Sequence, residues 1–157
     1  MLEIKNWKLK ELDGKFEIVH DQSKDYKYSL LDKMDFPLSK NLTGLDRKET
    51  IIDWKKVANY HSFFFDGEND EDFIRRSLRA SDLNEYNHLI IPYRPKEPVV
   101  KVKVEDFLKD WEGFVRSTLW ETIIHTEDLN LIIEISRDYF MHSNFKIVDK
   151  PNLLRIE

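Results

Sequence analysis

"HLIIPYRPKEPVVKVKVEDFLKDWEGFV", residues 88–115, changes its hydrophobic period midway, and that change decides the fold class. "HLIIPY" and "PVVKVKV" are two strand-like runs, joined by the stiff "RPKEP" with Pro95 and Pro98. In the second run Val100, Val102 and Val104 alternate with Lys101 and Lys103, the pattern of a half-buried strand with lysines on its open face. From Val104 the period becomes helical. Val104, Phe107, Leu108, Trp111, Phe114 and Val115 form a single apolar stripe, with Glu105, Asp106, Lys109 and Arg116 turned outward.

Working outward, "LWETIIH", "LNLIIEIS", "NFKIV" and "LLRI" are further strand-like runs, and Thr126–Asp128 is the turn between the first two. On the N-terminal side a helix is expected over "DEDFIRRSLR" (70–79) and another over "DRKETIIDWKKVANYH" (46–61). In the latter, Asp46 and Glu49 have capping-box spacing, and Ile51, Trp54, Ala58 and His61 would share a face. At the start, "LEIKNWKLKEL" and "KFEIVH" flank Asp13–Gly14, which predicts a hairpin, and "YKYSLL" is a candidate third strand. Strands, helices, strands, helix, strands is an α+β order. It predicts a mainly antiparallel sheet with about three helices on one face. At 157 residues, with no long linker or repeat, one domain over residues 1–157 is expected.

Composition narrows the function. The chain has no cysteine, which excludes disulfides, thiolate metal sites and cysteine nucleophiles. "MLEIKNWKLK" shows no apolar signal segment and no run is long enough to span a bilayer, so a cytoplasmic protein is expected. Net charge is −5, against the basic field of a nucleic-acid binder. Residues 1–50 balance, and the acid excess lies beyond them. Its densest point is "SFFFDGENDEDF", residues 62–73, where Asp66, Glu68, Asp70, Glu71 and Asp72 follow three phenylalanines.

Those carboxylates suit the first turn of a helix, where free N–H groups and the dipole favour anions, and Arg75, Arg76 and Arg79 suit its later turns. As a calcium loop the spacing fails, because Gly67 directly follows the first Asp. The five histidines show neither HxH nor HExxH spacing, so no metal and no cofactor is expected. There is no G-x-S-x-G elbow, and the E-x-K at Glu3–Lys5 has no acid before it. Phe63, Phe64 and Phe65 cannot all face one way. One of them beside the acids is a candidate interface anchor, since aromatics with a charged rim are what protein interfaces use.

A small, acidic, cysteine-free α+β chain with a C-terminal run such as "LNLIIEISRDYFMHSNFKIV" resembles the bacterial immunity proteins of contact-dependent inhibition and related polymorphic toxin systems. The resemblance implies a non-enzymatic inhibitor that covers the basic active-site surface of a cognate toxin, many such toxins being nucleases. Asp66, Glu68, Asp70, Glu71 and Asp72 would meet the toxin's lysines and arginines, with Phe65 or Tyr60 as a desolvated anchor. The partner implied is a basic protein rather than a nucleic acid or a membrane. The alternative is a small ribonuclease-like hydrolase using His125, His142 or His20.

Overall fold

A computed structural model describes residues 10–12, 14–20, 33, 50–66, 69–93, 97–116, 122–136 and 139–148. The expected strand at 26–31, the Asp46 cap, Glu68 and the "LLRI" run lie outside them. Among the described residues the elements are β1 (Phe16–His20), β2 (His61–Phe64), α1 (Glu71–Ala80), β3 (His88–Pro92), β4 (Val99–Lys103), α2 (Val104–Lys109), α3 (Trp111–Arg116), β5 (Thr122–Thr126), β6 (Ile132–Ile135) and β7 (Phe140–Ser143). The strands form a seven-stranded sheet in the order β1-β4-β3-β5-β6-β7-β2. Every pair in it is antiparallel, so the fold is α+β.

The 88–115 stretch is built as its periods require. β3 and β4 pair in the register Leu89↔Val102 and Ile91↔Val100, which puts these four on one face. Ile124 of β5, Ile133 and Ile135 of β6, Met141 of β7 and Phe63 of β2 continue that face across the sheet. All three helices pack on it. Ile74 and Leu78 of α1, Phe107 and Leu108 of α2, and Trp111, Phe114 and Val115 of α3 join these strand residues in one buried cluster. The helical stripe is therefore correct, but it spans two helices. The chain breaks at Asp110 (φ −140°, ψ 43°), whose carbonyl still accepts from Phe114 N–H at 3.2 Å.

The other face of the sheet has its own smaller cluster, Ile52, Trp54, Ile123 and Ile132, with Ile51 and Val57 packed against it. Here the expected 46–61 helix fails. Residues 50–60 are a strap with one short 3-10 turn at Trp54–Lys56, and His61 already belongs to β2. Asp53 (ψ 82°) sits at the centre of a γ-type turn that Trp54 N–H closes onto the Ile52 carbonyl at 3.0 Å. The cause is a competitor for the backbone donors. Glu134 takes Ile51 N–H at 2.7 Å and Ile52 N–H at 3.1 Å. Ile52 and Trp54 are buried because they meet β5 and β6; Ala58, on the proposed helical face, is exposed.

Two further expectations are corrected. Lys10–Leu12, the end of the expected first strand, form a helical turn, the rest of that strand lies outside the described residues, and β1 pairs with β4. The turn itself is there, with Gly14 at φ 86° and Lys15 N–H donating to Leu12 O at 3.0 Å. The "NFKIV" run is irregular; the strand in this region is β7, four residues earlier, and Phe145, Ile147 and Val148 join the main core without sheet pairing.

Candidate partner-binding surface

β2 is one of the two edge strands of the described sheet, and its sequence carries straight into the acidic stretch. Strand alternation sends Phe63 and Phe65 to the helix side and Phe64 to the other, where its ring meets Phe140 edge-on at 5.4 Å. Phe65 is fully buried. Its N–H donates to the Tyr139 carbonyl at 3.0 Å, and its ring packs edge-on against Trp111 at 6.0 Å and Tyr139 at 6.1 Å. Phe65 is thus a core residue that ties the acidic turn to α3. It is not the exposed anchor expected of it.

The carboxylates turn largely toward their own backbone. Asp66 accepts from Asn69 N–H at 3.3 Å and from the Asn69 amide at 2.8 Å. Asp70, expected to serve the helix N-terminus, points backward instead and accepts Asp66 N–H at 2.6 Å. Glu71 and Asp72 stand in the first turn of α1, as the dipole favours. Both are paired with Arg75, whose Nη2 and Nη1 each lie 2.6 Å from them. The Arg75 Nε donates to the Leu108 carbonyl at 3.0 Å, and the Trp111 indole donates to the Glu71 carbonyl at 3.2 Å. These two bonds fix α1 to α2 and α3.

What remains open to a partner is narrower than the acidic run. The Asp72 side chain is 89% exposed, and Phe73 beside it is 39% exposed. Phe73 lies one residue off the buried Ile74–Leu78 stripe, so helical period alone turns it outward. Tyr139 is 41% exposed and sits next to Phe65 in a left-handed backbone (φ 66°). Nothing in its local pattern marks it. Sequence reading missed both rings.

Tyr60, at the opposite end of β2, is 37% exposed. It stacks on Trp54 at 5.9 Å and on His142 at 5.9 Å, and its hydroxyl lies 3.1 Å from His142 Nδ1. Trp54 in turn donates its indole N–H to Glu134 at 3.0 Å. The ring is therefore exposed but held in place. Five residue steps of extended chain separate it from Phe65, roughly 17 Å. One interface of ordinary size reaches both ends.

The histidines do not converge. His125 on β5 is buried, with Nδ1 2.7 Å from the Thr126 carbonyl. Burial holds its pKa below the usual imidazole value, so it is neutral and sealed from solvent. His142 on β7 shares that face, but β6 lies between, and strand spacing and offset put the two about 12 Å apart. His20 lies on β1, with β4 and β3 between it and β5. Among the described residues no group of three or more His, Asp or Glu is placed to hold a metal ion. No helix among them is long and apolar enough to cross a membrane. No protein-family model matches the chain, and no curated protein matches it either.

Proposed function

We propose that this chain is a non-enzymatic protein-binding inhibitor, an immunity protein that neutralises a cognate toxin inside the cell by covering a basic surface. The observation that supports this most is the solvent-facing pair Asp72–Phe73 on a helix clamped to the core by Arg75. A rigidly presented charge beside an exposed ring suits recognition of lysine- or arginine-bearing surface at little ordering cost. Tyr60 and Tyr139 would extend the contact along the β2 edge. Asp66, Asp70 and Glu71 contribute their charge to the field that steers association, and act otherwise through the shape of the turn.

The test is capture of a basic partner from the native lysate, followed by association kinetics. Asp72→Lys should slow association and flatten its salt dependence, and Phe73→Ala should speed dissociation, both with the fold intact. Unchanged rates in both variants would remove this surface from the interaction. One observation favours the hydrolase alternative, the Tyr60–His142 hydrogen bond on a half-exposed histidine. Phosphoester turnover abolished by His142→Ala would support that reading over inhibition.

A further inference from the structure

We infer that residues 50–57 are a latched strap, held on the sheet by Glu134 and able to open while the main core stays folded. Glu134 is buried on β6 and accepts three bonds from the strap: Ile51 N–H at 2.7 Å, Ile52 N–H at 3.1 Å and the Trp54 indole at 3.0 Å. Further hydrogen bonds of the strap close its own turns: Trp54 N–H to Ile52 O, Lys56 N–H to Asp53 O, Val57 N–H to Trp54 O, and the Thr50 hydroxyl to Ile52 O; Ile52 also takes part in an isolated β-bridge. Its described hydrogen bonds to the sheet thus converge on one buried carboxylate, and the Trp54 ring adds a stack on His142 of β7 at 6.0 Å.

The apolar contacts divide along the same line. Ile52 and Trp54 bury against Ile123 and Ile132 in a cluster separate from the one that joins the helices to the sheet. Lifting the strap breaks the smaller cluster and leaves the larger intact. Local opening of this kind takes place below the free energy of global unfolding. All three bonds are weakened when an amide replaces the carboxylate, because the amide is uncharged, keeps only one accepting oxygen and turns an NH2 group toward the donor that faced the other oxygen. Tyr60 follows the strap and stacks on Trp54, so an open latch removes one of that ring's two supports and leaves only its stack and hydrogen bond to His142. Only this last consequence rests on the partner-binding reading; the latch does not.

The test is backbone and indole hydrogen exchange on the full chain with Glu134→Gln. Exchange at Ile51, Ile52 and the Trp54 indole should accelerate at least about tenfold, the size of one lost charge-assisted bond. Amides of Leu89, Val100, Val102 and Ile124 should keep their protection. No acceleration in the strap, or equal acceleration in strap and sheet, would overturn the latch. If Glu134→Gln does not fold, Trp54→Phe removes one of the three donors and should accelerate Ile51 and Ile52 alone. Acceleration shared with the β3–β4 amides in that variant would overturn it equally.

Discussion

Replacing Arg75 with Met separates a structural bond from a decorative one. The aliphatic stem stays, and three interactions go. The Nε bond to the Leu108 carbonyl at 3.0 Å satisfies an acceptor in the last turn of α2, where helix carbonyls have no partner of their own. Losing it leaves a partly buried carbonyl unpaired, worth about 1–3 kcal/mol. The pairs to Glu71 and Asp72 are short but open to water on the acid side, worth about 0.3–0.5 kcal/mol each. The sum is about 2–4 kcal/mol. For a chain of 157 residues that lowers Tm by about 5–15 °C. With a slope of about 2 kcal/mol per molar urea it moves the midpoint by about 1–2 M. Urea unfolding followed by tryptophan fluorescence reads it, and Asp72→Asn in parallel should cost less than about 0.5 kcal/mol. If Arg75→Met also costs under about 0.5 kcal/mol, the tie from α1 to α2 carries no stability and the reasoning fails. The variant has a functional counterpart: with Arg75 gone, Glu71 and Asp72 stand uncompensated, and a basic partner should associate faster.

Phe65→Ala should cost about 3–5 kcal/mol by opening a cavity against Trp111, whereas Phe73→Ala should change stability by less than about 0.5 kcal/mol; thermal unfolding of the two side by side checks the assignment of core and surface. His125 is favoured neutral in the fold, so the unfolded chain binds the extra proton. Stability should rise with pH up to its ordinary value near 6.5 and fall as pH drops below it. His125→Leu should flatten that part of a pH–stability profile measured by urea unfolding. The Asp128 carboxyl is held below its usual range first by the Thr126 hydroxyl at 2.7 Å and then by Asn130 N–H at 3.0 Å. Its contribution is present above its unfolded pKa and is lost as pH falls through the lower folded value. Solvent screens these exposed bonds, so Asp128→Ala should cost no more than about 0.5 kcal/mol at neutral pH, and that difference from the parent chain should shrink in acid.

The sequence was legible where each residue answers to one neighbour layer. In 88–116 the valines alternate because β4 has one buried face, and the stripe from Val104 to Val115 recurs at helical spacing because α2 and α3 press on that same face. The stretch 50–61 was misread because two layers claim it. Ile51, Trp54, Ala58 and His61 happen to fall at helical spacing, but Ile52 and Trp54 answer to β5 and β6, and Glu134, some eighty residues later, takes the N–H groups a helix would have kept inside. No local pattern contains that carboxylate. β7 was illegible for a related reason: "FMHS" places Met141 and Ser143 in the main core and His142 in the Trp54–Tyr60 stack, so polar and apolar residues are covered on both faces and alternation vanishes. The acidic stretch fell between these cases. Its helix could be read from Ile74 and Leu78, but which carboxylates remain available was decided by Arg75 and by the turn Asp66 makes with Asp70. Charge density in a sequence counts carboxylates. An interface responds to those left in water beside an exposed ring, and here the folding of one turn reduces that set, among the described residues, chiefly to Asp72 with Phe73.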